Sequence, residues 1–248
     1  MLGIFRHIRR KLMEQNKIRT YLLYAVGEIL LVVIGILIAL QVNNWNEERI
    51  IQNQMHDYYQ EINEEILENI SQSEYITANT ILSEKITKSL QLIEKADPDS
   101  LKKLEDTIGA VGTAYTSTFA LPVTEEFISN GYINNVQSDS LKVALRSLRI
   151  NMERLEKINR YIVDQYQSEI EPFFHPIINY SGVVLERNRN DIYVGGPETD
   201  FSSLANNMEA WNIINFKLEI TNANLRNLQE AVNSMKQLTR MLEKAIDQ

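Results

Sequence analysis

The sequence predicts an all-α protein in which one transmembrane helix continues into an elongated, antiparallel bundle of helices. Residues 21–42 form an apolar run, apolar residues recur every three or four positions through most of the chain beyond it, and only 9 of 248 residues are glycine and 5 are proline. This recurrence is the period of amphipathic helices. Because glycine and proline, which interrupt helices, are scarce, we expect the helices to be long. Three parts follow: a basic segment (1–20), the transmembrane helix (21–42) and a helical domain (43–248).

The apolar run is long enough to cross a bilayer as a helix, since each residue adds about 1.5 Å. Fourteen of its residues are Leu, Ile or Val, and together they favour insertion by roughly 4–8 kcal/mol. Glu28 opposes insertion by roughly 3 kcal/mol at the bilayer centre and by less near its surface. The favourable contribution of the apolar residues therefore exceeds the cost of Glu28, and the run is expected to insert into the membrane. Residues 41–45 do not form a small-residue cleavage site, so an uncleaved anchor is preferred over a cleaved signal peptide.

The charges beside the run predict its orientation. Six basic residues and one acidic residue precede it, whereas Arg49 is the one basic residue between the run and Glu61. The positive-inside rule then puts the amino terminus in the cytoplasm and the helical domain on the other side of the membrane. Tyr21 and Tyr24 suit the inner interface of the bilayer, and Trp45 suits the outer one.

Glu28, Gly35 and Ala39 share one face of the predicted transmembrane helix. Gly35 and Ala39 form a small-xxx-small pair, which lets another helix approach closely. A buried Glu28 would hydrogen-bond to such a partner helix. We therefore expect this face to associate with other helices. In the alternative, Glu28 lies shallow, near the cytoplasmic headgroups, and reaches water.

The net charge limits the partners of the helical domain. The whole chain carries −8; residues 1–42 contain six basic and two acidic residues, so residues 43–248 hold 19 basic and 31 acidic residues and carry −12. Such a domain is unsuited to nucleic acid, whose binding needs basic patches that neutralise phosphates. Cysteine is absent, so the sequence predicts neither disulfides nor thiol chemistry.

The domain begins with a helical stretch from residue 46 to residue 96, which contains no glycine or proline. Its apolar residues step by three or four along one face. The segment Asp97–Ser100 is expected to end this stretch and to start a short helix. Residues 109–122 follow as the least regular part of the domain, and we expect them to form a loop that packs back on the bundle.

Two further helices are predicted by their capping residues. Thr124 is expected to cap a short helix, residues 125–130, and Gly131 to end it in a left-handed conformation. Ser138 is expected to begin a long helix that runs to about Tyr166. Its apolar residues recur at helical spacing throughout.

Two short apolar runs within residues 183–194 flank the polar residues 187–190, a pattern typical of a small β-hairpin. An irregular excursion at one end of the bundle is the alternative. The last helix, about residues 204–245, has apolar residues at steps of 3-4-3-4-3-4-3-3-4, which is heptad spacing with one slip. Such a stripe indicates the core of a bundle within one chain more often than a coiled coil between chains. It consists of Trp211, Ile214, Leu218, Thr221, Leu225, Leu228, Val232, Met235, Leu238 and Leu242.

The sequence carries no pattern that predicts catalysis, a cofactor or a metal. His56 lies beside Asp57 on a glutamate-rich helix, yet bundle di-metal sites need Glu-x-x-His pairs from two helices, so a solvated acidic face is preferred. Ser100 to Lys103 matches the Ser-x-x-Lys pattern without the partner motifs that such enzymes need. We expect no enzyme, no cofactor and no metal site.

The irregular segment carries the side chains best suited to a ligand. Tyr115, Thr116 and Phe119, together with Tyr132 further along the chain, can line a pocket in the bundle. In the alternative, which is preferred, these hydroxyls satisfy backbone groups of an irregular connection.

The stretch YLLYAVGEILLVVIGILIALQVNNWNE (21–47) closely resembles the signature of an uncharacterised family of Gram-negative single-pass membrane proteins. The residues before it, FRHIRRKL (5–12) and EQNK (14–17), look like the same family. The resemblance implies an anchor in the bacterial inner membrane and a helical part in the periplasm. It implies no activity, and so no catalytic residues.

These observations favour a membrane-anchored helical protein that acts through protein contacts. The lipid bilayer is its first partner, and we expect a homo-oligomer or an accessory subunit of an envelope assembly. The alternative is a ligand-sensing bundle that signals through the membrane helix. The cytoplasmic part, about twenty residues, is too short for an output domain, so a sensor would need a partner to supply one.

Overall fold

The computed structural model describes residues 18–71 and 74–247. Over these residues every regular element is helical and no strand is present, which confirms the predicted all-α class. The chain divides into two compact units, residues 1–55 and residues 56–248. Helix α1 (Ile18–Ser71) contributes residues to both units.

The described residues of the first unit are the part of α1 that ends at Met55, and its large apolar side chains between Leu22 and Ile51 are exposed. Leu31 is 68% exposed and Ile38 is 60% exposed. Eighteen consecutive residues in this helix meet the length and composition needed to cross a membrane, and none of them is buried. The described part of the chain thus contains one helix, near the amino terminus, that is long and apolar enough to span a bilayer.

In the second unit, seven α-helices follow α1 among the described residues. The seven helices are α2 (Glu74–Lys95), α3 (Pro98–Lys102), α4 (Pro122–Ser129), α5 (Asp139–Gln165), α6 (Glu171–Phe174), α7 (Tyr180–Val183) and α8 (Met208–Ile246). A π-helical turn (Tyr166–Ile170) joins α5 to α6, and short 3-10 turns occupy several of the other connections.

Helix α8 packs along both α2 and α5 and lies antiparallel to each. The order of the side-chain hydrogen bonds shows this direction. As the bonded residues advance along α2 or α5, their partners move back along α8. The predicted antiparallel packing is therefore present among the long helices of the second unit. These hydrogen bonds join Asn79 to Asn224 and Ser83 to Asn222 along α2, and Asn151 to Ser234 and Arg154 to Glu230 along α5.

The buried residues of α8 agree with the predicted stripe except at three positions. Lys217 and Asn224 are buried, whereas the predicted core residues Leu218 and Leu225 beside them are only half-buried, as is Trp211. The other seven predicted residues are buried. The full buried set of α8 is Ala210, Ile214, Lys217, Ile220, Thr221, Asn224, Leu228, Ala231, Val232, Met235, Leu238, Thr239 and Leu242.

Three predicted helix ends are confirmed. Asp97 begins α3, and its carboxylate accepts a hydrogen bond from the backbone N–H of Ser100 at 2.9 Å. The hydroxyl of Ser138 accepts from the N–H of Leu141 at 3.3 Å and so caps α5. Gly131, after α4, has a φ of 81°, the left-handed conformation that ends helices.

The predicted β-hairpin at residues 183–194 is wrong. The segment contains the end of α7 and then a 3-10 helix over Glu186–Asp191. The side chain of Asn179 accepts a hydrogen bond from the N–H of Ser181 at 3.1 Å, which starts α7 where the hairpin would need an extended chain. The carbonyl of Val183 then packs against Gly109 in the core, so it is unavailable to a strand ladder.

Candidate functional site

A cavity of about 380 Å³ lies in the second unit between residues 117–129 and helix α5. Its volume is in the range of small-molecule sites. Apolar side chains, buried or half-buried, form the floor of this cavity, and exposed charged side chains form its rim. The floor consists of Phe119, Leu121, Ile128, Leu148, Met152 and Leu155, and the rim of Glu125, Arg149, Glu153 and Glu156.

Asn159 of α5 holds the irregular segment at the edge of the cavity. Its Oδ1 accepts from the N–H of Ser117 at 3.1 Å, and its Nδ2 donates to the carbonyl of Ser117 at 2.7 Å. Both residues are at least nine-tenths buried. One amide side chain therefore satisfies both backbone groups of a residue that has no place in a helix, which is how buried loops avoid unpaired polar atoms.

Ser117 also connects the edge of the cavity to the core of the bundle. The hydroxyl of Ser117 accepts from Asn79 of α2 at 3.4 Å, and Asn224 of α8 donates to Asn79 at 3.1 Å. Asn79 and Asn224 are at most 1% exposed. A buried polar chain thus joins three long helices to the segment that forms one wall of the cavity, and such a chain specifies one arrangement because unpaired members are costly.

Glu65 of α1 holds the other part of this wall. Its carboxylate accepts from the N–H of Val123 at 2.7 Å, from the N–H of Thr124 at 3.0 Å and from the hydroxyl of Thr124 at 2.7 Å. Asn69, one turn later, donates to the carbonyl of Ala120 at 2.8 Å. The carboxylate therefore lies at the positive end of α4 and pairs its free N–H groups.

This contact corrects the predicted cap of the short helix. Helix α4 begins at Pro122, so Thr124 lies within its first turn, and Leu121 at the cap position makes no side-chain cap. Glu65 acts as the cap from another helix. No local sequence pattern could have indicated it, because the two residues are far apart in the chain.

The rim of the cavity carries more acid than base. Arg149 pairs with Glu153, with Nε and Oε1 3.0 Å apart, and Glu156 pairs outward with Arg160 at 3.1 Å. Glu125 adds a further carboxylate. The arrangement suits an uncharged or cationic guest with an apolar body, and it offers no anion-binding cluster at this mouth.

The structure brings together only some of the residues predicted to line a pocket. Phe119 lines the cavity, and its ring packs edge-on against Tyr75 with centroids 5.6 Å apart. Tyr115 contacts the same Tyr75 ring at 6.4 Å. Thr116 is exposed and does not line the cavity, while its neighbours Ser117 and Thr118 do.

Tyr132 belongs to a different aromatic group. Its ring centroid lies 4.8 Å from that of Tyr58 and 6.1 Å from that of Phe127. These rings pack α4 and the following 3-10 turn against the part of α1 that lies in the second unit. Burial and the neighbouring Tyr132 raise the pKa of Tyr58 to about 12. Tyr132 therefore has a packing role and does not line the cavity.

The residues predicted for helix association lie on the uncovered part of α1. Gly35 and Ala39 are exposed, and no atom comes within 4 Å of the place where a Cβ on Gly35 would lie. Glu28 is half-buried and Trp45 is 64% exposed. The structure describes the backbone of Tyr21 and Tyr24 but not their side chains. Their roles at the membrane stay predictions.

Several buried polar residues were not expected from the sequence, although the spacing of Lys217, Asn159 and Gln165 carried a signal. Lys217 follows Ile214 by three and precedes Thr221 by four, which places it inside the apolar stripe of α8. Asn159 and Gln165 hold equivalent places along α5, among its apolar residues. A polar residue at core spacing indicates either a buried hydrogen bond or a functional group, but the apolar stripes were assigned instead to the neighbours Leu218, Ile158 and Tyr166.

Lys217 and Gln165 are unusual among these buried groups. Lys217 is 2% exposed, its Nζ donates to the carbonyl of Thr113 at 2.8 Å, and burial lowers its pKa to about 8. Gln165 is 4% exposed, and neither atom of its side-chain amide has a hydrogen-bond partner in the described part of the chain. Both side chains cost stability where they lie.

The described histidines show no metal-site geometry. His56 Nε2 lies 3.1 Å from Nε2 of Gln60, and His175 is exposed just after α6. His7 lies outside the described residues. Within residues 18–71 and 74–247, no three His, Asp or Glu side chains gather in a way that could hold a metal ion.

Comparison with known proteins places the chain in one family. The model of a family of unknown function, DUF6090, matches residues 28–179, a range that includes most of the uncovered part of α1, the Glu65 contact and the 380 Å³ cavity. No curated protein matches the chain. No solved structure matches it either. Because the match covers more than half of the chain, the protein belongs to the family of unknown function DUF6090.

Proposed function

We propose that this chain is a single-pass protein of the bacterial inner membrane, with a cytoplasmic amino terminus and a periplasmic helical domain that acts through protein contacts. The observation that carries the proposal is the uncovered apolar surface of α1. Its large hydrophobic side chains between Leu22 and Val42 are 44–68% exposed. In water this surface would be strongly unfavourable, at roughly 25 cal/mol per Å² of apolar area, and lipid covers it.

Protease protection tests this topology. Full-length protein is expressed in Gram-negative cells, and protease is added to intact spheroplasts. We expect the carboxy-terminal mass to be digested while the membrane fraction keeps the anchor after a carbonate wash. A protected domain, or a chain released by carbonate, would overturn the proposal.

An exposed aromatic pair supports action through protein contacts. Tyr161 of α5 and Phe216 of α8 pack edge-on with ring centroids 6.1 Å apart, and they are 48% and 36% exposed. Aromatic residues are enriched in protein interfaces, where they supply large contact areas. A partner, either a second copy of the chain or another envelope protein, would cover this pair. In this role the domain is a self-assembling scaffold or an accessory subunit.

Site-specific cross-linking tests the contact. A photoreactive amino acid replaces Tyr161 in one variant and the exposed Arg240 of α8 in a control, and both are irradiated in native membranes. We expect a cross-linked product from position 161 that is absent from position 240. If neither position cross-links, and native mass spectrometry of the full-length protein finds only monomers, the protein-contact proposal fails.

Ligand sensing is the second candidate, and the hydrogen bonds of Glu65 favour it. Thr124 lines the 380 Å³ cavity and also donates two hydrogen bonds to Glu65 of α1. A ligand that shifted the wall of the cavity would therefore act directly on the helix that carries the proposed membrane segment. The membrane segment would pass this change to a partner protein.

A thermal-shift screen tests the second candidate. Full-length protein in neutral detergent is heated with a library of small periplasmic solutes, beside the variant Met152→Trp, which fills the cavity from its floor. Ile150→Trp, at a position that is 49% exposed on the same helix, is the matched control. We expect a solute that stabilises the native chain and the Ile150 variant but not the Met152 variant. No shift across the library would count against sensing.

A further inference from the structure

A second cavity, of about 260 Å³, lies where the chain turns from α5 into α6 and α7. Its inner wall is apolar and well buried, since Ile108, Ile170 and Val183 are at most 7% exposed. The ring of Phe174 completes this wall and packs edge-on against Phe173, with centroids 4.9 Å apart. The cavity has no part in the proposed function.

The π-helical turn gives this cavity its shape. The N–H of Glu171 bonds to the carbonyl of Tyr166, five residues earlier, and Pro172 follows in the first turn of α6, where a proline is tolerated. A π turn accommodates one extra residue and so redirects the side chains around it, which is why such turns recur at functional sites. Here both Tyr166 and Glu171 line the cavity.

Two phenol rings and one carboxylate lie together at the mouth. Tyr166, Glu171 and Tyr180 all line the cavity. Burial, then the charge of Glu171 and then that of Tyr180, raise the pKa of Tyr166, so both neighbours lie within electrostatic reach of its hydroxyl. Among the described residues that line this cavity there is no lysine or arginine, and His175 is the remaining titratable side chain.

We infer that this cavity binds a small organic cation, namely an amine or quaternary ammonium group that carries an apolar or aromatic tail. The tail would fill the apolar interior. The cationic group would remain at the mouth, against the faces of Tyr166 and Tyr180 and beside the carboxylate of Glu171. Aromatic faces attract cations, and the attraction strengthens when water is partly excluded.

Charge and size exclude the other ligand classes. An anion would be repelled by Glu171 and by the charge of −12 on residues 43–248. A neutral molecule would leave the carboxylate at the mouth unused. The volume lies just below the usual range of drug-sized sites, about 300–1,000 Å³, which favours a small amine over a peptide or a lipid.

Calorimetry with three matched probes tests the inference. Full-length protein in neutral detergent micelles is titrated at fixed ionic strength with phenethylammonium, phenethyl alcohol and phenylacetate, and empty micelles give the blank. The probes share one aromatic tail and differ in charge. We expect phenethylammonium to bind at least about tenfold more tightly than either of the others, as one charge-assisted contact allows.

Variants assign the binding to this cavity. We expect Glu171→Gln to weaken phenethylammonium binding about tenfold, while Glu169→Gln, an exposed carboxylate in the same turn, leaves it unchanged. Tyr166→Phe keeps the aromatic face and should bind as the native chain does, whereas Tyr166→Leu should lose most of the affinity. Thermal unfolding of each variant checks that it folds. Equal binding of all three probes, no binding of any, or an unaffected Glu171→Gln variant would overturn the inference.

Discussion

The carboxylate of Glu65, near the end of α1, accepts two hydrogen bonds from Thr124, one from its N–H at 3.0 Å and one from its hydroxyl at 2.7 Å. A third, from the N–H of Val123, completes the cap of α4. One glutamate therefore closes the start of a helix that lies far away in the sequence and forms one wall of the larger cavity. This contact links the helix that carries the apolar segment to the cavity.

Loss of this cap should destabilise the second unit. Glu65→Ala leaves the first N–H groups of α4 without a partner, and we expect it to lower the free energy of unfolding by about 2 kcal/mol. Glu64→Ala, at an exposed position beside it, should change that free energy by less than about 0.5 kcal/mol. Urea unfolding of the full-length variants in neutral detergent measures both values. Equal effects would show that the cap contributes nothing particular.

Asn159 should be among the most sensitive polar residues of α5. Asn159→Ala leaves both backbone groups of Ser117 unpaired in a buried site, and we expect a loss of about 2–4 kcal/mol. Asn151→Ala removes one hydrogen bond to Ser234 at a half-buried position of the same helix, so its cost should be about 1 kcal/mol. The same urea series ranks the two. A reversed order would contradict the role given to Asn159.

Lys217 should make stability depend on pH in a predictable direction. Burial lowers its pKa in the folded chain to about 8 from an ordinary 10.5. Below pH 8 the lysine is charged in both states and the cost of burying it is fully present. Between pH 8 and 10.5 only the unfolded chain holds the proton, so stability rises with pH.

The contribution of Lys217 should amount to about 2 kcal/mol between pH 7 and pH 10. We expect Lys217→Met to lack this rise and Lys236→Met, an exposed position on the same helix, to retain it. Unfolding free energies of the native chain and of both variants at the two pH values give the difference directly. A native chain and a Lys217→Met variant with parallel pH profiles would refute the assignment.

Two glycines near the second cavity should respond in opposite ways. A Cβ on Gly109 would overlap the carbonyl oxygen of Val183, whereas no atom lies within 4 Å of a Cβ on Gly182. We expect Gly109→Ala to cost about 3 kcal/mol or more, because backbone must move. Gly182→Ala, within helix α7, should be neutral or slightly stabilising. Thermal unfolding of both variants decides, and similar melting temperatures would contradict the packing described.

The regular parts of the fold could be predicted from the sequence because their causes are local. Helical periodicity predicted the long helices, and Asp97, Ser138 and Gly131 marked helix ends that the structure confirms. Capping depends on a few consecutive residues, so it is readable from the chain alone.

The errors arose where distant contacts override local preference. Residues 183–194 contain the two apolar runs and the polar centre of a hairpin, but the close approach of Val183 to Gly109 and the cap from Asn179 favour helical turns instead. In α8 the prediction placed Leu218 and Leu225 in the core instead of Lys217 and Asn224, because buried lysine and asparagine side chains are rare. Their partners lie on other helices and in the irregular segment, where the sequence alone could not place them.

The candidate pocket was predicted in part for the same reason. Phe119 and its neighbours Ser117 and Thr118 do line a cavity, while Tyr132 packs with Tyr58 and Phe127 elsewhere. The opposite wall is formed by α5, and the cap from Glu65 completes the arrangement. Neither could be assigned before the packing of the long helices was known.

Cysteine-accessibility labelling tests the central claim, that α1 crosses the membrane and holds the domain on its far side. The chain has no cysteine of its own, so the single variants Lys17→Cys, Leu37→Cys and Lys157→Cys each report one place. A membrane-impermeant maleimide is added to intact spheroplasts and, separately, to permeabilised ones. We expect position 157 to be labelled in both, position 17 only after permeabilisation, and position 37 in neither. Labelling of position 17 with protection of position 157 in intact spheroplasts, or labelling of position 37, would contradict it.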